Sequence, residues 1–389
     1  MKNDYCLPDY KGGGIVNLMS SIKKSYGGKH PYKELRLLPS KELKGTKNVV
    51  LIILDGLGYN FLKKNAKGTI FEENLVGSMT SVFPPTTATA VTTFLTGLPP
   101  QQSAFSGWYM NIKELGCVIS TFRYAPRAGG EPFSKSGIDI KNVFDCKSFT
   151  QDLKVKSYLI KPSKITKSDL NIMIAGKSEM IGFNTLKGFF NKINKTVKSN
   201  NRKKYVYGYW HMFDKMAHKK GVGSREIKKH FLELSKEVSR LAKRLKGTNT
   251  KLIISADHGF VDCPKSKFID LKDHPKMGEC LTLPLCGDSR VKYCYVKPDK
   301  VKQFEKYVKT KLKKCCDCYT NKEIIEKGFY GLFKPNKKLY DRTGDYILIM
   351  KDKYTLKDYI LGEEKMFKIG KHSGVSEDEM LVPLVVVDC

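Results

Sequence analysis

Three aspartates and three histidines of this 389-residue chain stand just behind apolar runs or inside glycine-bearing turns, where polar side chains can converge over a rigid scaffold. Asp55 ends the run in "VVLIILDGLG", and Asp257 and His258 end that in "KLIISADHGF". Asp214 and His218 lie four residues apart in "YGYWHMFDKMAHKKG", a spacing that puts both on one face of a helix. His372 sits in "IGKHSGVSEDEM", ahead of the last apolar run. Mixed carboxylate and imidazole donors suit Zn²⁺, with Mn²⁺ or Fe²⁺ as alternatives, and leave coordination positions open for substrate. Two such ions can clamp a transferring phosphoryl group. A nucleophile is offered by "MTSVFPPTTATAVTTFLTGLPP": Thr86 follows two prolines and opens a small-residue helical stretch ending near Gly97. The free N–H groups and dipole of a helix start favour an anion there. Singly, Asp55 reads as a turn residue and Thr86 as an N-cap; the joint pattern is what packing alone would not generate.

These residues need a frame. Short continuous apolar runs at 48–54, 205–210, 251–255, 346–350 and 382–387 predict buried strands of a mostly parallel sheet, sandwiched by helices in an α/β fold. Ile227, Phe231, Leu234, Val238, Leu241 and Leu245 recur at steps of four and three before Gly247, which predicts an amphipathic helix laid on that sheet. In open parallel sheets ligands bind beyond the carboxyl ends of the strands, and Asp55 stands at such an end. Residues 1–125, 201–265 and 346–389 therefore read as three parts of one core. Residues 126–200 and 266–345, richer in Lys, Ser and Asn with weaker periodicity, read as insertions forming a cap.

Composition narrows the class. Hydrophobic residues make up 41% of the chain, enough for a large core, and no apolar run is long enough to span a bilayer. The opening "MKNDYCLPDYKGGG" lacks a secretory hydrophobic stretch, so a cytoplasmic protein without membrane association is expected. Eleven scattered cysteines do not form the even, closely spaced framework of a small secreted domain, and Cys315, Cys316 and Cys318 lack partners with metal-finger spacing. The net charge of +31 favours polyanions, yet the lysines are spread through every segment. Nucleic acid is thus an admissible partner but not a required one. Nothing in the sequence speaks to oligomeric state.

Taken in order, "VLIILDGLG", "FPPTTATAVTTFLTG", "FDKMAH", "ADHG" and "GKHSG" resemble the alkaline phosphatase superfamily, and within it the type I phosphodiesterase/nucleotide pyrophosphatase branch. The resemblance covers roughly residues 45–125, 203–262 and 365–389, and implies an alkaline phosphatase-like core. It implies one metal held by Asp55, Thr86, Asp257 and His258 and a second held by Asp214, His218 and His372. Thr86 would be the nucleophile, passing through a phosphothreonine, and the substrate a small anionic, nucleotide-like phosphoester. The branch often has an Asn about twenty residues after the nucleophile; here Ser106 and Gly107 stand there, with Asn111 the nearest amide. His211, His274 and Asp262 read as supporting or surface groups, His30 and His230 as structural ones. No motif fixes an Arg beside the metals, although Arg123 and Arg127 are candidates, and this favours diesters over monoesters. Phosphonate hydrolases share a threonine nucleophile and remain an alternative, as do phosphomonoesterases. A non-catalytic polyanion-binding protein is a third reading.

Overall fold

The computed structural model describes residues 5–389; Met1–Asp4 of the opening stretch lie outside the described residues. The Asn48–Leu54 strand is buried along its whole length, because it is hydrogen-bonded on both edges and covered on both faces. It pairs in parallel with Lys204–Trp210 and with Thr250–Ser255. Seven strands form this sheet, in the order Leu75–Thr80, Leu381–Asp388, Thr250–Ser255, Asn48–Leu54, Lys204–Trp210, Lys156–Pro162 and Glu179–Phe183. Leu381–Asp388 is antiparallel to both of its neighbours. The remaining pairings are parallel, so the sheet is mostly parallel.

The Arg225–Leu245 helix covers one face, with Ile227, Phe231, Leu234, Val238, Leu241 and Leu245 buried as their spacing predicts. Its start is set by Ser224, whose side chain accepts the Ile227 N–H. No helix among the described residues is long and apolar enough to cross a membrane. All eleven cysteines are free of disulfides.

Two boundaries differ from the sequence reading. Lys156–Pro162 and Glu179–Phe183 extend the main sheet, so residues 126–200 supply core strands rather than an inserted cap. Their apolar signal is diluted for physical reasons: Glu179–Phe183 is an edge strand whose residues are mostly half-exposed, and Lys156–Pro162 buries Lys161. Conversely, Tyr346–Met350 belongs to a second, antiparallel seven-stranded sheet, paired with Val291–Cys294 and Cys316–Thr320. Tyr109–Ile112 and Cys117–Ser120 form the other end of that sheet, although they were expected in the core. A short buried apolar run reads the same whichever sheet receives it.

A buried ion pair joins the second sheet to the loop carrying His372. Arg290 Nε and Nη2 donate to Glu379 Oε1 and Oε2 at 2.7 and 3.0 Å, and neither side chain is more than 2% exposed. Glu379 also accepts the Gly374 N–H at 2.8 Å and the Ser376 hydroxyl at 2.6 Å. Arg290→Met leaves that carboxylate buried without its cation, and is expected to cost about 3–5 kcal/mol of stability. Urea unfolding monitored by far-UV circular dichroism checks this; a loss below about 1 kcal/mol would show that the pair is not a structural tie.

Candidate active site

Strand register brings the carboxylates level. Leu54 lies opposite Trp210 and Ile53 opposite Ser255, so Asp55, the start of the Met212–Lys220 helix and Asp257 emerge together at the carboxyl ends of adjacent parallel strands. Asp55 is 2% exposed, and Asp257 and His258 are fully buried. Asp257 Oδ1 accepts the Gly56 and His258 N–H groups at 3.0 and 3.1 Å, which turns its second oxygen inward. Tyr209 donates its hydroxyl to Asp55 Oδ2 and similarly leaves Oδ1 facing the cluster. Gly56 has φ 79°, and a Cβ there would lie 2.4 Å from the Phe260 ring, so no other residue fits this turn.

The histidines present bare nitrogens to these oxygens. His258 Nδ1 faces the Gly259 carbonyl at 3.0 Å and His218 Nδ1 the Gly370 carbonyl at 2.8 Å. A carbonyl only accepts, so each Nδ1 carries the proton and each Nε2 is a lone-pair donor. His258 Nε2 lies 3.4 Å from Asp55 Oδ1 and 3.6 Å from Asp257 Oδ2. His218 and His372 Nε2 approach Asp214 Oδ1 at 3.3 and 3.8 Å. Two groups with metal-ligand geometry result, Asp55/Asp257/His258 and Asp214/His258/His372. His218 joins the second through Asp214, and His258 stands between them, its ring stacked on His372 at 3.8 Å.

These donors fit divalent cations. Asp55 Oδ1, Asp214 Oδ1 and Asp257 Oδ2 are buried with no hydrogen-bond partner, an arrangement that is costly unless positive charge sits among them. Burial, with Asp257 and Asp214 as neighbours, pushes the Asp55 carboxyl well above the usual range, and burial pushes Asp214 up to about 6. His218 and His372 are held well below the usual imidazole value, chiefly by burial. Cys315, Cys316 and Cys318 contribute to neither group.

The two adjacent threonines separate in space. Thr86 is the N-cap of the Thr87–Thr96 helix, with an extended backbone, but its side chain does not cap that helix. Its Oγ1 donates instead to Asp288 Oδ1 at 3.2 Å. Thr87, the first helical residue, places its Oγ1 3.3 Å from His258 Nε2 and faces the open space shared with Asp214. The structure thus turns the Thr87 hydroxyl, not that of Thr86, toward the ligand cluster.

Two cavities meet at Thr87, Trp108 and Asp214. The larger, about 610 Å³, is lined mainly by apolar side chains such as Phe122, Leu170 and Ile174. Lys161, 2% exposed, also borders it and bonds to Asn171 Oδ1; burial pushes its ammonium down to about 7. The smaller, about 320 Å³, is bordered by Asp288 and by Lys292, Lys357, Lys368 and Lys371. Cationic side chains therefore stand beside the candidate metal groups, and they are lysines rather than the Arg123 or Arg127 that the sequence offered. These lysines, Asp288 and Trp108 carry no motif, and the lysines come from three separate strands and one loop, so only Trp108's place about twenty residues after the threonines could have drawn attention.

Other candidates lie elsewhere. Arg127 is tied to Asp358 and Glu363 and Arg123 is exposed. Asn111 lines neither cavity, whereas His211 lines the larger one. Asp262 accepts the Val222 and Gly223 N–H groups at 2.7 and 3.1 Å, closing the turn behind His218. His274 pairs with the Tyr307 hydroxyl, His30 with the Gly97 carbonyl and His230 with Trp210.

Residues 49–374 match the family of type I phosphodiesterases / nucleotide pyrophosphatases, and the chain belongs to that family. It is accordingly a hydrolase acting on phosphoester bonds. Among solved structures, it is similar to murine ectonucleotide pyrophosphatase / phosphodiesterase 5, at 18% identity and a TM-score of 0.67 over 86% of this chain and 87% of that one. The inactive form of that mouse protein has been solved with AMP. Phosphonoacetate hydrolase from Sinorhizobium meliloti, in complex with phosphonoacetate, is similar at 15% identity and a TM-score of 0.64 over 88% of this chain and 90% of that one. At these identities the likeness is one of fold. No curated protein sequence matches the chain.

Proposed function

We propose that this protein hydrolyses phosphodiester or phosphoanhydride bonds of nucleotide-like substrates by two successive displacements at phosphorus, with Thr87 as nucleophile. Two divalent ions, Zn²⁺ in the first instance and Mn²⁺ or Fe²⁺ as alternatives, would be held by Asp55, Asp257 and His258 and by Asp214, His218 and His372. The observation that carries this reading is the set of three orphaned carboxylate oxygens grouped around His258, whose Nε2 lies 3.3 Å from the Thr87 hydroxyl at a helix N-terminus. Ions bound there supply the Lewis acidity that a threonine hydroxyl needs for ionisation near neutral pH. The Thr87 oxygen then attacks phosphorus while the bond to the leaving oxygen breaks in line, and water hydrolyses the phosphothreonine, returning the hydroxyl. The first-turn N–H groups of the Thr87–Thr96 helix favour the anionic oxygens of the phosphoryl group. Two inversions retain configuration at phosphorus. The large cavity beside Trp108 and Phe122 supports an aromatic or sugar substituent on the substrate. The eleven disulfide-free cysteines support a reducing, cytoplasmic compartment.

The test compares the nitrophenyl ester of thymidine monophosphate with nitrophenyl phosphate, at saturating Zn²⁺ and matched pH. The diester is expected to show the higher kcat/KM, since it alone fills the large cavity, and a chelator is expected to abolish both activities. The reverse ranking would make the protein a monoesterase. A phosphonate-hydrolase reading is favoured by the phosphonoacetate-binding neighbour and by lysines able to hold a carboxylate. Turnover of phosphonoacetate above that of the diester would replace the first reading by the second.

A further inference from the structure

The larger chamber carries a buried amine that displacement at phosphorus does not use. Lys161, 2% exposed, borders it at the carboxyl end of the Lys156–Pro162 strand. Its Nζ donates to Asn171 Oδ1, and the centre of the Tyr207 ring lies 5.9 Å from it. Asn171 is itself fixed: its Nδ2 donates to the Ile165 carbonyl at 2.7 Å and to Ser168 Oγ at 3.0 Å, so only its oxygen is left to meet the lysine. Among the described residues Lys161 has no carboxylate partner and no second acceptor, although an ammonium carries three N–H bonds. Buried donors without acceptors are unfavourable, and the chamber is where a ligand can supply them.

The rest of the chamber says what carries those acceptors. Trp108 and Phe122, their ring centres 5.6 Å apart, give apolar faces to a flat ring. Acceptors for an amino group are scarce by contrast. Among the described residues, the carboxylates bordering the chamber are Asp55 and Asp214 alone, and both belong to the candidate metal groups. The Ser163 hydroxyl is spent on the Phe183 carbonyl, Ser168 Oγ accepts from Asn171, and Asn184 is exposed. Resting on the hydrolytic reading above, we propose that Lys161 determines which base the substrate carries. It selects heterocycles that present a ring carbonyl, as uracil, thymine and guanine do, over cytosine and adenine, which present an amino group at that edge.

The selection follows from hydrogen-bond polarity. An ammonium donates and cannot accept, so it meets the 4-carbonyl of uracil or the 6-carbonyl of guanine, but sets donor against donor at the amino groups of cytosine and adenine. A carbonyl in contact also favours the charged form of an amine that burial pushes down to about 7. Thr87 and Asp214 border the same chamber, so a base held at Lys161 belongs to a substituent of the phosphorus under attack. Ground state and transition state share this contact, and its effect therefore falls on KM more than on kcat.

The test uses the nitrophenyl esters of uridine, cytidine, guanosine and adenosine monophosphates on the metal-loaded full chain, at about pH 6, where Lys161 is charged. All four share one leaving group, so the kcat/KM ratios of uridine to cytidine ester and of guanosine to adenosine ester report the base alone. Both ratios are expected to be about tenfold, mainly through KM, and to fall to near one in Lys161→Met, which removes the donor and keeps an unbranched side chain. Lys161→Gln, whose amide can still bond Asn171 but accepts as well as donates, is a second variant expected to lose most of both ratios. By calorimetry, uridine monophosphate is expected to bind the wild type about tenfold more tightly than cytidine monophosphate. Wild-type ratios near one, a preference for the amino bases, or ratios unchanged in either folded variant overturn the assignment to Lys161 and leave the hydrolytic reading standing. Failure of the wild type to cleave any of the four esters overturns the hydrolytic reading, and the calorimetric comparison then decides the base preference by itself.

Discussion

Thr87→Ala is expected to lower turnover of the nitrophenyl ester of thymidine monophosphate by about 10³-fold or more, while Thr86→Ala keeps most of it. The two residues are neighbours at one helix start, and their hydroxyls face different surroundings. Thr87 Oγ1 lies 3.3 Å from His258 Nε2, within the space bordered by Asp214 and His372. Thr86 Oγ1 is fully buried and donates to Asp288. Removing it takes one hydrogen bond from a half-buried carboxylate, a cost of about 1 kcal/mol in stability rather than in chemistry. Metal content is expected to persist in Thr87→Ala, because the six Asp and His donors remain. Acid quenching during turnover, followed by peptide mass analysis, is expected to find phosphate on Thr87 in the wild type. Phosphate on Thr86, or loss of turnover in Thr86→Ala alone, would return the nucleophile to the position first read from the sequence.

Elemental analysis is expected to give close to two divalent ions per wild-type chain, about one in His218→Ala and less than one in His258→Ala. The asymmetry follows from the geometry. His258 Nε2 lies within 3.6 Å of both Asp55 and Asp257, and the same side chain belongs to the group around Asp214 and His372. His218 approaches Asp214 alone. Loss of His258 therefore leaves three buried carboxylates with fewer donors on either side, and ions held by two or three ligands exchange readily. Turnover is expected to fall by about 10³-fold or more in His258→Ala. A fully active wild type without bound metal, or His258→Ala retaining two ions, would remove the two-metal reading.

The α/β class and the residues that face one another at the site were legible because each candidate donor stands just past an apolar run or in a tight turn. Asp55 and Asp257 announce themselves in this way, and the four-residue step from Asp214 to His218 needs only local helical geometry. The amphipathic stripe from Ile227 to Leu245 was equally local. Lys156–Pro162 and Glu179–Phe183 were missed because edge position and a buried lysine dilute the hydrophobic signal on which strand recognition rests. Tyr346–Met350 was recognised as a strand but assigned to the wrong sheet, since partner choice is set by residues far away in the chain.

By itself the sequence determined the kinds of donor, their order along the chain and the family to which they point, because those depend on chemical type and short-range spacing. Only the tertiary structure decided which of two adjacent threonines meets His258, since a one-residue step at a helix start turns a side chain into a different environment. It alone decided that Lys292, Lys357, Lys368 and Lys371 share one cavity with His218 and His372. Charges on a chain of net +31 look alike in sequence, and what distinguishes these four is their place around one cavity beside the metal donors, with Lys292 and Lys371 buried and Lys357 and Lys368 at its rim, which long-range packing creates.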